Sequence, residues 1–233
     1  MPLFSEVNNS LSGKQTMFRR LSTITLSILL SLTLFSLPAN AFVTRDYEKL
    51  LITNACVNCD LSGADLSGKD LYGSVLDGAN LSKANLSDSL LNDAKLTGAN
   101  LTEANLSGAI LMGITLSDAN LTGANLSNAD LYSALMSNAK LLKADLTGAD
   151  LTLAILSDAD LSNALGKNTK LKGAILSRAN LSSADFSSSF MRNTRLSGAI
   201  LKGTKFSGTD LSNSIMPNGT TYNGDVTQFG AAQ

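Results

Sequence analysis

Histidine and tryptophan are absent from this chain of 233 residues, and cysteine occurs only twice. The absence of histidine removes the commonest general base and the commonest metal ligand of proteins. Charged residues make up only 16% of the chain and sum to a formal net charge of -1, so no global field recruits nucleic acid or an anionic membrane. These absences argue against an enzyme, a cofactor or metal site, and a nucleic-acid partner.

What the sequence does contain is one five-residue pattern, repeated from Asp60 to Met216. Steps of five from Leu61 to Met216 give 32 central positions, of which 26 are leucine. The positions two residues before each centre form a second column of 32, in which 21 are alanine. Neither a helix, with a period of about 3.6, nor a strand, with a period of about 2, keeps such columns aligned. The pattern therefore predicts a repeat architecture.

Segments such as Ala-Asn-Leu-Thr-Glu at 99–103 and Ala-Asn-Leu-Ser-Asn at 124–128 resemble the units of the pentapeptide repeat family. The resemblance extends over about two thirds of the chain. It implies an all-β fold, a right-handed quadrilateral β-helix in which four units form one 20-residue coil. In that fold the central residues and the small residues two before them point inward, and the 32 units would make about eight coils, stacked ~4.8 Å apart.

Exceptions to the two inward columns give local predictions. With a 20-residue period, Gly166 lies directly beneath Phe186, and a small residue beside a large one conserves the packed volume. We therefore expect compensation between these two residues, the alternative being a local break in register. Lys69 and Ile114 interrupt the column of small residues, and at these corners we expect a bulge, a snorkelling side chain or a distortion.

The residue just before each centre is usually Asp or Asn, but ten of these residues are apolar. Five of the ten are spaced by multiples of 20, and three more fall on the neighbouring face. These eight residues form one predicted stripe: Val75, Leu135, Ile155, Ile175 and Ile215, with Leu90, Ile110 and Phe190. An exposed apolar stripe indicates a surface for a protein partner or for self-association. The alternative is β-propensity alone, with Val and Ile tolerated half-exposed.

Charge is distributed unevenly along the repeats. Residues 56–135 contain nine acidic and three basic residues, whereas residues 136–216 contain six acidic and ten basic residues. The net charges of the two halves are thus -6 (3 minus 9) and +4 (10 minus 6). Such a bipolar molecule is suited to head-to-tail stacking or to a partner of mixed charge, and charge drift on a solvated surface is the alternative.

The first 41 residues are interpreted as a leader and signal peptide. Arg19 and Arg20 precede an apolar run of 17 residues, and Ala39-Asn40-Ala41 supplies a small-residue cleavage site. Met17 is an alternative start. The run is too short and too rich in Ser and Thr for a comfortable membrane anchor, so no stable anchor is expected after cleavage. We expect export to the periplasm or the thylakoid lumen.

Cys56 and Cys59 form a CxxC pair at the start of the repeats. A c-type haem site would need histidine where Asp60 stands, and structural zinc would need further ligands that the chain lacks. In an oxidising compartment a structural disulfide is expected, while a redox-active pair and free thiols stay open. Residues 42–55 are predicted to form a short helix that caps the first coil, residues 56–216 the repeat domain, and residues 217–233 a turn and tail.

These observations lead to a non-enzymatic, exported structural or interaction module with an unknown protein or cell-envelope partner. Its opening, Cys-Val-Asn-Cys-Asp-Leu at 56–61, resembles that of signal-bearing pentapeptide repeat proteins of cyanobacteria. A thiol-disulfide redox protein that uses the CxxC pair is one alternative. DNA mimicry that protects DNA gyrase, an activity known in the family, is another, although it calls for a cytoplasmic and largely acidic protein.

Overall fold

The computed structural model describes residues 41–232. Within this part the residue before each repeat centre forms a parallel bridge with the residue 20 positions later, from the pair Ala55 and Val75 to the pair Arg195 and Ile215. Successive bridges are five residues apart, so each 20-residue turn of the chain has four sides. The predicted 20-residue period is confirmed, and the sheet contacts are single-residue bridges.

Each corner of the solenoid is a tight turn. In the turn that begins at Leu61, the N–H of Ala64 donates to the C=O of Leu61 at 3.1 Å, and Gly63 at the third position has a φ of 65°. A positive φ at this position alone is the mark of a type II turn, which favours Gly or Asn. This requirement explains why the last residue of the repeat is so often Gly, Asn or Asp.

The core consists of the two inward columns. The central leucines are buried from Leu61 to Leu211, and the alanines two residues before them fill the space at the corners. Each buried leucine contributes about 1.5 to 3 kcal/mol relative to an exposed one, which offsets the conformational entropy lost on ordering a chain with few aromatic residues. Threonines and serines that replace alanine here donate to a backbone carbonyl, as when Thr204 Oγ1 donates to Leu181 O at 2.8 Å. Ser74 is the exception, because its buried hydroxyl has no hydrogen-bond partner within residues 41–232.

The predicted compensation between Gly166 and Phe186 is confirmed. A Cβ atom added to Gly166 would lie 2.3 Å from Cε1 and 2.4 Å from Cδ1 of Phe186, so the aromatic ring occupies the space of the missing side chain. The register is unbroken there, because Gly166 N donates to Asp185 O at 2.7 Å, and the centres Leu161 and Leu171 donate in the same way to the residue 19 positions later.

The two large residues in the small-residue column behave differently from each other. Ile114 is fully buried, and the next residue still donates its N–H to Ala94 O at 2.9 Å. Lys69 is exposed, and its C=O accepts the N–H of Leu90 at 2.9 Å. Of the three expected outcomes, the snorkelling side chain is the one found at Lys69, whose side chain reaches solvent. Ile114 is enclosed instead, and neither corner shows the bulge or the distortion.

The first turn is covered by the helix α1, Ala41–Thr53. Leu50 of α1 is fully buried in the core, and the Asp46 carboxylate accepts the N–H of Asp60 at 2.9 Å. Asn54 has a φ of 53°, which ends the helix, and Ala55 already forms the first bridge. The helix thus ends two residues before the predicted boundary at 55 because the chain must turn into the repeats.

The tail folds over the last turn. Thr221 pairs antiparallel with Ile215, Ala232 pairs in parallel with Lys205, and a 3₁₀ helix, Thr227–Phe229, lies between them. Val226 is buried against the end of the core. The tail therefore shields the leucine column from solvent and takes up part of the backbone edge that a further turn would otherwise have covered.

The predicted leader and signal peptide lie outside the described residues, apart from Ala41. In residues 41–232, neither helix combines the length and the hydropathy needed to cross a bilayer.

Candidate interaction surface

Each repeat displays three residues outward: the one before the centre and the two after it. The residues before the centres lie side by side in successive turns. Where they are amides they form ladders, as when Asn105 Nδ2 donates to Asn85 Oδ1 at 3.2 Å and Asn125 Nδ2 donates to Asn105 Oδ1 at 3.2 Å. Large apolar residues in these columns interrupt the ladders and are candidates for contact with a partner.

One side of the solenoid, which carries positions 75 to 215 in steps of 20, is called the Ile155 face. Leu135, Ile155 and Ile175 are consecutive bridge partners on this face. Val75 and Ile215 stand apart from them, because Lys, Thr and Arg occupy positions 95, 115 and 195. Leu135 is exposed and the other four are half-buried. The face therefore holds one short apolar cluster and two isolated residues.

The preceding side, which carries positions 70 to 210 in steps of 20, is called the Leu90 face. Leu90 and Ile110 are bridge partners on this face, and both are exposed. Phe190 is 55% exposed but isolated, since positions 130, 150 and 170 are Asp, Asp and Lys. The eight residues predicted as an interaction stripe thus form two short clusters and three separate residues.

Sequence reasoning missed three further members of the Leu90 face. Tyr72, Met112 and Tyr132 follow the centres on this face and are exposed, Tyr72 by 60%. The position after a centre is usually Ser or Thr, and these three exceptions are spaced by multiples of 20, so the signal was present in a column that the prediction did not consider. Together they define the Leu90 patch: Tyr72, Leu90, Ile110, Met112 and Tyr132.

Acidic residues surround the Leu90 patch. Asp70 and Asp130 stand at its two ends, where their carboxylates accept the N–H groups of Tyr72 and Tyr132 at 3.1 Å. Asp88 and Asp93 flank Leu90 in the chain. None of these four carboxylates has a cation within ion-pair distance in the described residues. The rim of the patch is therefore an uncompensated negative surface.

The second half of the repeats differs because five of its ten basic residues form ion pairs. Of the six ion pairs in residues 41–232, five join residues between 150 and 210. In the tightest pair the Arg178 guanidinium donates to the Asp158 carboxylate from Nε at 2.7 Å and from Nη2 at 2.6 Å. These hydrogen bonds lower the pKa of Asp158 and raise that of Arg178. The charge asymmetry of the sequence is thus also an asymmetry of pairing.

Cys56 and Cys59 are joined in a disulfide, with their Cα atoms 5.3 Å apart. Both are buried, and Nζ of Lys49 on α1 lies 3.6 Å from Sγ of Cys59. The Asp46 carboxylate is close to both sulfur atoms. Since the sulfur atoms are bonded to each other, they offer no thiolates to a metal ion in this state. The disulfide lies where α1 meets the first repeats.

A model described as pentapeptide repeats matches in eight copies, over residues 56–93, 79–118, 89–128, 115–152, 144–182 and 179–216. The chain belongs to the pentapeptide repeat family. The matched segments cover 56–216 without a gap, and the solenoid is the right-handed β-helix-like fold of this family. Pentapeptide repeat proteins are generally structural or interaction modules, and the predicted family membership is confirmed.

Several solved structures are similar to this pentapeptide repeat protein. HetL, involved in heterocyst differentiation regulation in the cyanobacterium Nostoc sp. strain PCC 7120, is 32% identical over 72% of this chain and 89% of its own, with a TM-score of 0.35. A protein from the thylakoid lumen of Arabidopsis thaliana is 38% identical over 46% of this chain and 72% of its own, with a TM-score of 0.42. The plasmid-mediated fluoroquinolone resistance protein QnrB1 is 17% identical over 76% of this chain and 89% of its own, with a TM-score of 0.49. No curated protein matches.

Proposed function

We propose that this pentapeptide repeat protein is a non-enzymatic, exported module that binds a protein or cell-envelope partner through its outward columns. The observation that carries the proposal is the exposure of large apolar side chains at positions where the repeat otherwise has Asp, Asn, Ser or Thr. Their burial against a partner would remove apolar surface from water at about 25 cal/mol per Å². Self-association is a second way to bury the same surface.

The proposal includes the arrangement of the whole chain. Residues 1–41 are a leader and signal peptide, residues 42–55 the cap, residues 56–216 a quadrilateral solenoid of about eight coils, and residues 217–233 the closing tail. Export to the periplasm or the thylakoid lumen is supported by the apolar run before Ala41 and by the buried disulfide, since disulfides persist in oxidising compartments.

Cell fractionation combined with crosslinking tests this proposal. We expect the mature protein, beginning at Phe42, outside the cytoplasm and crosslinked there to a specific partner. The control is Ala41→Tyr, which places a large residue at the cleavage site and should leave an uncleaved, membrane-retained precursor. Recovery of the intact native chain in the cytosol would overturn the proposed address, and the absence of any specific adduct would overturn the proposed binding role.

A thiol-disulfide redox protein is a second candidate, favoured by the Lys49 ammonium beside Cys59. A neighbouring cation stabilises a thiolate and so makes a reduced cysteine more reactive. Burial of both sulfur atoms opposes this candidate, because thiol-disulfide exchange needs access to a sulfur atom. The reduction potential of the pair decides between the roles: a value below about -300 mV marks a structural bond, and a higher value favours redox activity.

DNA mimicry that protects gyrase is the least supported candidate. A protein that imitates DNA needs negative charge along its length, whereas residues 136–216 carry a net charge of +4 from ten basic and six acidic residues. A gyrase supercoiling assay with and without a fluoroquinolone tests this candidate, and protection of the enzyme by this chain would revive it.

A further inference from the structure

The Leu90 patch, rather than the whole predicted stripe, has the features of a docking surface. Leu90 and Ile110 occupy the column before the centres in two successive turns, and Tyr72, Met112 and Tyr132 occupy the column after the centres on the same face. Four successive turns thus present a contiguous group of exposed apolar and aromatic side chains. At a rise of ~4.8 Å per turn, the group is about 14 Å long.

A polar atom at the centre of this patch lacks a partner. Asn92 lies between Tyr72 and Met112 in the column after the centres. Its Oδ1 is one of two buried side-chain atoms in residues 41–232 without a hydrogen bond. An unpaired buried acceptor is costly, so a donor that reached Oδ1 of Asn92 would remove this cost. The patch therefore contains an acceptor whose hydrogen-bonding capacity is unused.

The backbone of the patch excludes recognition by strand addition. Leu91 N donates to Ile110 O at 2.7 Å and Asp93 N donates to Met112 O at 2.9 Å, so these groups already bond along the solenoid axis. An added strand needs free backbone edges. A partner on this side must be recognised through side chains, as an amphipathic helix is, and about 14 Å corresponds to nine or ten helical residues.

The acidic residues around the Leu90 patch favour a positively charged partner. The four carboxylates of Asp70, Asp88, Asp93 and Asp130 surround the patch and have no ion-pair partner among residues 41–232, and Lys69 is a neighbouring cation at one end. Complementary potentials across an interface speed association and disfavour partners of the wrong sign. The surroundings of the patch thus favour a cationic segment with an apolar side.

We propose that the Leu90 patch binds a short, basic, amphipathic helix of a partner protein. This inference rests on the proposed interaction function and deepens it by naming the face and the chemistry of the partner. The apolar side of the helix packs on Leu90, Ile110 and Met112 between the two tyrosine rings, while its Lys or Arg residues meet the acidic rim. The basic second half of the protein, with Phe190 exposed among paired charges, is not part of this surface.

Binding of defined peptides tests the proposal. The probe is a synthetic 14-residue amphipathic helix of Leu and Lys, and its counterpart of Leu and Glu serves as the charge control; both are measured by fluorescence anisotropy with the protein as isolated from its cells. We expect the double variant Ile110→Asn with Met112→Ser, which installs residues normal for these columns, to weaken binding of the Lys peptide about tenfold. Ile200→Asn is the matched control, because Ile200 is 52% exposed in the column before a centre on another side, and it should change binding less than about twofold.

A second pair of variants tests the acidic rim. Asp70→Asn combined with Asp130→Asn should weaken binding of the Lys peptide about fivefold and reduce its dependence on salt. Asp118→Asn combined with Asp145→Asn removes the same amount of charge outside the rim of the Leu90 patch. This control should leave the affinity for the Lys peptide and its salt dependence nearly unchanged. Equal binding of the Glu peptide, equal losses in the control variants, or a homodimer in sedimentation that Ile110→Asn dissociates would each overturn the proposal.

Photo-crosslinking in living cells separates this inference from the proposed function. A photoreactive residue at Tyr72 should give an adduct whose partner peptide is basic and apolar, while the same residue at Phe190 should give none. Adducts at Phe190 alone would keep the interaction function and overturn the Leu90 patch. Absence of adducts at both positions, and at every other outward position that is sampled, would overturn both.

Discussion

The packing of Phe186 over Gly166 provides the sharpest test of the core. Gly166 has no positive φ, so its backbone accepts a side chain, and the three atoms nearest to an added Cβ all belong to the ring of Phe186. Gly166→Leu places its Cβ 2.3 Å from Cε1 of that ring, which we expect to cost about 1 to 3 kcal/mol by overpacking. Phe186→Leu alone removes ring volume above a residue without a side chain, and the small cavity should cost about 1 kcal/mol.

The double variant should be more stable than either single variant. With leucine at both positions 166 and 186, these two centres carry the residue found at most other centres of the repeats. The overpacking and the cavity should therefore disappear together. We expect a coupling free energy of about 2 kcal/mol between the two substitutions, typical of residues in direct contact. Equilibrium urea unfolding, followed by circular dichroism, measures the shift in midpoint for each of the four proteins of the cycle.

Phe206 provides the control for this cycle. It belongs to the same column but lies two turns from Gly166 and does not contact the added Cβ. Gly166→Leu and Phe206→Leu should therefore have additive effects within about 0.5 kcal/mol. If Gly166→Leu is as stable as the parent while Phe186 is present, or if its coupling to Phe206 is equally large, the ring of Phe186 does not fill the space of the missing side chain.

Two further predictions concern the outward columns. Asn105→Ala removes three hydrogen bonds: to Asn85, from Asn125 and from the N–H of Ser107. It should lower the free energy of unfolding by about 1 to 2 kcal/mol. Thr115→Ala is the control, because Thr115 has no side-chain hydrogen bond in the described residues, and it should change this free energy by less than about 0.5 kcal/mol. Urea midpoints check this pair, and equal losses would contradict the amide ladder. Because its hydrogen bonds with arginine lower the pKa of Asp158 below 3.8, the stabilisation is present at neutral pH and is lost as the pH falls through the lowered value. Asp158→Asn should therefore destabilise the protein at pH 7 and have progressively less effect as the pH falls below 3.8, and an equal effect at neutral and acidic pH would exclude the ion pair as the cause.

Much of the inward architecture could be predicted because the period is short and strict. Every fifth side chain must fill the same interior. A centre without a side chain, such as Gly166, can therefore be recognised in the sequence as an exception. Lys69 and Ile114 show the limit of this reasoning. The sequence identifies them as exceptions, but only the surrounding space decides that isoleucine is enclosed and lysine is not. The space around a corner depends on residues from several turns of the solenoid, which are distant from that corner in the sequence.

The candidate surface was less predictable, because outward residues are constrained by neighbours 20 residues away and not by a common interior. Leu90 and Ile110 were found in the column before the centres, while Tyr72, Met112 and Tyr132 were overlooked in the column after them. The CxxC pair alone is compatible with a disulfide, a redox-active pair or free thiols, and the structure shows a disulfide between buried cysteines.

By itself the sequence determined the repeat, its 20-residue period, the two inward columns and the family. The reason is that few folds can bury a mostly apolar residue at every fifth position over 32 positions. The tertiary structure decided which exceptions matter. Stacking brings residues about 20 apart to the spacing of neighbouring strands. This proximity pairs five basic residues of the second half with carboxylates, whereas the acids around the Leu90 patch have no ion-pair partner within the described residues. Coulomb and contact energies depend on distance in space, and the linear order of the chain does not record that distance.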